Sequence, residues 1–251
     1  MFDVALASAQ GGGAEGVAGI HWCVQPGDYW VAGGLHGAGK SDLLATAAGL
    51  HRPASGSHWL FGRNTAELDE DEFLLARLRV GLVFENGGRL FNHLTVAENV
   101  ALPLCYHEDC EPAAAADRAN AALELVGVAD LALKRTGQIS RASRQRVALA
   151  RALVLQPELL LLDNPLAGLD PRQVRWWLDF LGALQAGHAF LGGRKLTLVV
   201  AADDLRPWVG QARQFALLKH NGWLLVGGRA ELAVCREPLL RELLASELAE
   251  A

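Results

Sequence analysis

Hydrophobic residues along the 251-residue chain fall into short runs separated by glycine-rich or charged segments. Residues 1–20 are rich in Gly and Ala and predict a weak first strand followed by a turn. Tyr29-Trp30-Val31-Ala32-Gly33 predicts a short buried strand, Gly34 to Ser41 a loop, and Ser41 to Leu50 a helix. Between His51 and Asn64, Pro53 and Gly56 mark a turn, and the apolar-aromatic run behind them marks a strand. Val80 to Phe84 reads as a further strand, and from Val96 to Leu155 the chain turns to Ala- and Leu-rich helix. Leu159 to Leu162 is a continuous apolar run ending at Asp163, as expected of a parallel strand covered on both faces, and Leu196–Ala201 and Phe215–Leu218 read likewise. Leu239, Leu240, Leu243, Leu244 and Leu248 have helical spacing and predict a helix packed on its own domain rather than one docking a partner.

Strands and helices therefore alternate, which predicts an α/β fold. No internal repeat and no Pro- or Ser-rich linker divides the chain. The expectation is one domain over 1–251, with a core of about 1–92 and 156–251 and an inserted helical lobe of about 93–155. An apolar content of 51% with 20% charged residues suits a packed core. A net charge of -5 argues against nucleic acid as a partner, since phosphate contacts need clustered Lys and Arg. The most apolar region, Val147 to Leu169, is broken by Arg151, Glu158 and Asp163, so no membrane span is expected. The Met1-Phe2-Asp3 start lacks the basic-then-apolar order of a secretion signal. Cys23, Cys105, Cys110 and Cys235 show no zinc spacing, and reduced thiols are the simpler reading, although Cys105 to Cys110 encloses ligand-like His107, Glu108 and Asp109.

Gly34-Leu35-His36-Gly37-Ala38-Gly39-Lys40-Ser41 fits Gly-x4-Gly-Lys-Ser, a phosphate-binding loop. Its glycines let the backbone wrap a phosphate with N–H groups inward, and the helix behind it adds the positive end of its dipole. Lys40 would contact the β- and γ-phosphates, and the Ser41 hydroxyl would ligate Mg²⁺. Asp42, the next residue, adds a negative charge with no obvious benefit there. Far downstream, the strand Leu159 to Leu162 would present Asp163 to the Mg²⁺ shell.

Asp163-Asn164-Pro165-Leu166-Ala167-Gly168-Leu169-Asp170-Pro171 resembles the Walker B and D-loop of ABC ATPases. Arg144 to Leu153 is similar to the helix after their signature motif, and Gly27-Asp28, Gly49 to Gly62 and Leu94 to Val100 fit in the family's order. The resemblance, from about Val17 to Gly228, implies a P-loop NTPase: a RecA-like core, a small β layer and a helical lobe, with head-to-tail dimers that sandwich two ATP molecules. It also implies a transmembrane permease subunit as partner and a place on the cytoplasmic face of the membrane.

The resemblance makes departures visible. The family's catalytic Glu is Asn164 here, and an amide cannot accept the water's proton. The family's switch His falls on Asp203, or on Ala202 if the register shifts by one. Neither donates a hydrogen bond to phosphate when the Asp is ionised. The Q-loop Gln is Glu85, which joins Ser41 and Asp163 as a candidate metal ligand and Asn164 as a candidate catalytic position. The signature reads Ile139-Ser140-Arg141-Ala142-Ser143, which leaves Ser140, with Arg141 beside it, for the contact to the other subunit's nucleotide. No aromatic clearly serves for adenine stacking, Phe2 and Trp22 being nearest. After the Q-loop, Asn86 to Phe91 is similar to a run in Mla-type lipid-transport ATPases; Leu90 and Phe91 read equally as permease contacts or as residues buried under the lobe.

Two functions follow. The chain is an ATP-binding ABC transporter subunit with weak or absent hydrolysis, as a homodimer or a heterodimer, or it is a nucleotide-gated regulatory subunit that never turns over. Other P-loop kinases or GTPases are disfavoured by the missing Asn-Lys-x-Asp, and chromosome-type relatives by the missing coiled-coil insertion.

Overall fold

The computed structural model describes residues 2–5, 17, 19–108, 110–219 and 222–245. Among the described residues, a six-stranded sheet carries the fold. Its strands are β3 (Tyr29–Gly33), β6 (Val80–Val83), β7 (Leu159–Asp163), β8 (Thr197–Ala202), β9 (Gln214–Lys219) and β10 (Gly222–Gly227), ordered β10-β9-β3-β8-β7-β6. All pairings are parallel except the β9–β10 edge. β3 and β8 are buried at every position, because helices or a second sheet cover both faces. Side chains alternate between two cores: Val31, Leu160, Leu162, Leu198 and Val200 point to one, and Trp30, Ala32, Leu161, Val199 and Ala201 to the other.

The smaller core is closed by α1 (Lys40–Ala47) together with Ile20 and Trp22. Those two residues belong to β2 (Ile20–Trp22), in an antiparallel sheet ordered β2-β1-β4-β5 with β1 (Phe2–Ala5), β4 (Ser55–Leu60) and β5 (Arg63–Asn64). The segment His51 to Asn64 is thus two strands rather than one, turned at Phe61 and Gly62, both with positive φ. α1 ends at Ala47, short of the expected Leu50. Gly49 adopts φ 70, and the Leu50 N–H turns back to the Ala45 carbonyl, which is how a glycine closes a helix. α2 (Glu70–Leu78) has no buried residue and no hydrophobic pattern to announce it; a capping box between Asp69 and Glu72 starts it.

The larger core takes α3 (Val96–His107), α4 (Pro112–Leu125) and α5 (Arg141–Leu153), which pack on one another, and α6 (Pro171–Ala186). Thr95 caps α3 with Glu98 as its box partner, and Ser140 caps α5. At the end of the described chain come α7 (Arg229–Val234) and α8 (Pro238–Leu244). Leu240 and Leu243 of α8 are buried in the domain's own core, whereas Leu248 lies outside the described residues. No helix among the described residues is long and apolar enough to cross a membrane.

Candidate functional site

Strand order brings the sequence motifs together. β3, β8, β7 and β6 are parallel neighbours, with Gly33 opposite Ala202, Ala201 opposite Asp163, and Leu162 opposite Val83. Gly34, Asp203 and Asn164, which directly follow β3, β8 and β7, and Glu85, two residues beyond β6, therefore emerge on the same edge of the sheet. Crevices at such strand ends are where open α/β sheets bind ligands.

The loop from Gly34 to Gly39 is shaped by its glycines. Gly37 and Gly39 adopt φ 79 and 93, and a Cβ at Gly34 would stand 2.7 Å from the Leu218 carbonyl oxygen. Leu35, His36 and Gly37 are exposed, with Ala38 half-buried. α1 begins at Lys40 directly behind, and the first N–H groups of a helix have no acceptor within it. Lys40 is 7% exposed, and its Nζ donates to the carbonyls of Gly34 at 2.8 Å and Leu35 at 2.7 Å. The same Nζ lies 2.6 Å from Asp203 Oδ1, an ion pair. Asp203 Oδ2 accepts from the Asn164 side-chain amide at 2.8 Å. Ala202 is buried in the core, so Asp203 is the residue of this pair that meets the loop.

The Ser41 hydroxyl donates to Asp163 Oδ2 at 2.6 Å. Asp163 is 5% exposed, and burial raises its carboxyl above the usual range; the Glu85 and Asp203 carboxylates add to this, while the Ser41 hydrogen bond and Lys40 oppose it. Asp163 thus feels two other carboxylates and one lysine. The residues fit Mg-ATP: a glycine cradle and helix end for the phosphates, Lys40 for their charge, and Ser41 with Asp163 for Mg²⁺. Asp42, in the first turn of α1, is half-buried and makes none of these contacts.

Glu85 opens a single helical turn, Glu85–Gly87, and is half-buried. Asn86 and Gly87 follow at φ 60 and 64. Gly87 lies against α5, where a Cβ would be 2.6 Å from the Arg144 carbonyl oxygen. Asn99, fully buried, then clamps the backbone of Phe91, accepting from its N–H at 2.8 Å and donating to its carbonyl at 3.0 Å. The clamp leaves Phe91 45% exposed while Leu90 packs on the larger core.

The candidate signature residues Ser140 and Arg141 lie at the start of α5. Ser140 is exposed, and its Oγ accepts from the Ser143 N–H at 3.1 Å. Arg141 turns onto its own D-loop, donating to the Ala167 carbonyl at 3.0 Å and packing over Gly168. Trp22 is 3% exposed and packed against Trp30 and Trp223, which removes it as an adenine platform; the side chain of Phe2 lies outside the described residues.

Sequence reasoning missed two contacts, Asp203 to Lys40 and Arg141 to Ala167. The first was accessible only through the adjacency of β3 and β8. The second had a weak signal in a cation placed where the family keeps glycine.

Residues 17–167 match the sequence profile described as ABC transporter. The chain belongs to that family. A probable sulfate/thiosulfate import ATP-binding protein of Chlorella vulgaris is 36% identical over 203 residues, covering 80% of this chain and 79% of that protein. A sulfate/thiosulfate import ATP-binding protein of Gloeobacter violaceus is 41% identical over 170 residues, or 66% of this chain, which spans 47% of that relative's length. A dimeric ATP-binding cassette in a post-hydrolysis state with ADP and Pi superposes with a TM-score of 0.76 at 26% identity, covering 90% of this chain and 97% of that one. The ABC domain described here is thus a P-loop NTPase fold whose ligand is ATP with Mg²⁺.

Proposed function

We propose that the chain is the ATP-binding subunit of an ABC transporter, holding Mg-ATP between Gly34 and Asp42 and hydrolysing it slowly or not at all. The observation that carries this reading is the Lys40–Asp203–Asn164 chain of contacts. The residue after the Walker B Asp acts there as an amide donor to a carboxylate, and the switch position carries a negative charge. A general base contributes about 10²–10⁴ in rate and a donor to developing charge on the order of 10²–10³. From a typical turnover of ~10 s⁻¹, losing both leaves roughly 10⁻³ s⁻¹ or less.

The whole chain forms one domain, with the lobe of about 93–155 inserted in its core. It pairs head to tail with a second ATP-binding subunit and docks on a permease at the cytoplasmic face of the membrane. Arg141 and Ala142 weaken the partner's site through the signature, while Asn164 and Asp203 weaken the chain's own. A homodimer then has two weak sites, and a heterodimer with an intact partner still has no standard one. Support for a lipid substrate is confined to the Asn86–Phe91 run. A purely regulatory, non-hydrolytic subunit is the second reading, favoured by the engagement of Asn164 with Asp203.

Glu85 offers a carboxylate near Asp163 that could take over water activation, and its negative charge helps to raise the Asp163 carboxyl. Steady-state ATPase assays of the purified protein, alone and with co-purifying subunits, test the proposal: turnover near ~10 s⁻¹ overturns it. Where residual activity exists, its loss in Glu85→Gln but not in Asn164→Ala identifies a displaced base. No change in Glu85→Gln removes that role.

A further inference from the structure

Lys40 carries three N–H bonds, and three oxygens surround its Nζ: the Gly34 and Leu35 carbonyls and Asp203 Oδ1. The two carbonyls belong to the cradle. Asp203 is the anion of the set, and its second oxygen is held by Asn164. Its placement is fixed by the sheet, since Ala202 pairs with Gly33 and the Gly34 N–H bonds to the Ala202 carbonyl at 3.2 Å. The loop after β8 therefore cannot move far from the phosphate loop without breaking the central strand pairing.

We propose that the Asp203 carboxylate occupies the place of a γ-phosphate, and that the site consequently prefers a nucleoside diphosphate to a triphosphate. This rests on the nucleotide-site reading above. The loop backbone and α1 recognise the first two phosphates, and Lys40 can serve a terminal β-phosphate while keeping Asp203 as its second anionic partner. A third phosphate reaches the strand ends, where it meets Asp203 as a like charge and competes for Lys40. Asp163 and Glu85 add to the same negative field. Repulsion of this kind selects against one ligand without weakening the other.

Titration calorimetry with Mg-ADP and Mg-ATP tests this on the intact protein, its Asp203→Asn and Asp203→Ala variants and Asn164→Ala, with melting curves to confirm folding. The native chain is expected to bind ADP about tenfold or more tighter than ATP. Either Asp203 variant should tighten ATP binding by roughly 10- to 100-fold and leave ADP within about threefold. Asn164→Ala, which frees one carboxylate oxygen, should narrow the preference by about threefold. Equal or tighter ATP binding by the native chain overturns the proposal alone, as does a parallel change for both nucleotides in the Asp203 variants. Failure of the native chain to bind either nucleotide overturns the nucleotide site itself.

Discussion

Lys40 is paired with Asp203, lowers the neighbouring Asp163 carboxyl, and is almost wholly buried. Lys40→Ala is expected to weaken Mg-nucleotide binding at least about thirtyfold, because it removes the cation facing the phosphates and leaves the Asp203 charge beside them. Titration with a fluorescent nucleotide measures it, and unchanged affinity would remove the phosphate-loop assignment. A second residue sets a pH dependence away from the site. His58, 2% exposed in β4, has its imidazole held down to about 4 by burial, partly offset by a backbone hydrogen bond at Ala47. Its folded pKa lies below the unfolded 6.5, so below about pH 6.5 the unfolded chain binds a proton that the folded chain refuses. Stability should therefore fall between about pH 6.5 and pH 4 by a few kcal/mol, and His58→Phe should flatten that part of the slope. Urea unfolding of both proteins across this range is the measurement, and identical slopes would exclude the effect.

At the scale of elements, the Glu85–Gly87 turn joins the end of β6 to α5, and Gly87 is the contact point. Gly62, in the β4–β5 turn, has a similar positive φ of 83, but a Cβ there meets nothing within 4 Å. The two glycines separate backbone strain from steric clash. Gly62→Ala should cost about 1 kcal/mol, the conformational part. Gly87→Ala should cost about 1–3 kcal/mol more, because the methyl group must displace the backbone of α5. Chemical denaturation reads the difference. Similar losses at both positions would mean that α5 yields freely and that the Q-loop is not rigidly coupled to the helical lobe.

Over the whole molecule, the phosphate loop, β7 and the turn after β8 meet only in the folded sheet, so nucleotide binds the native state and not the unfolded chain. At a hundredfold excess over Kd this linkage contributes about 2.7 kcal/mol, which for a domain of this size is roughly 5–10 °C in melting temperature. Thermal scans with Mg-ADP and Mg-ATP should show such rises, and the Lys40→Ala protein should show at most about a third of them at the same concentrations. An undiminished rise in the mutant would place the nucleotide elsewhere.

The local features legible in the sequence are those whose cause is local. The glycine spacing of 34–39, the apolar runs of β3, β7 and β8, and the identity of Asn164 at the family's glutamate position need no folded structure to be read. Residues 1–20 read only as a weak first strand and a turn, and β1 falls within that stretch, although its side chains lie outside the described residues. The early stop of α1 at Gly49 and the Asp69–Glu72 box of α2 were present as signals but are overridden or hidden in a hydrophobicity pattern. What tertiary structure alone decided is which charges meet. Asp203 lies 163 residues beyond Lys40, and their 2.6 Å pairing exists because β3 and β8 are parallel neighbours with Gly33 opposite Ala202. Arg141 likewise reaches Ala167 only because α5 packs beside the loop after β7. A sequence specifies the groups and their order along the chain; strand adjacency converts that order into distance, and Coulomb energy depends on distance alone.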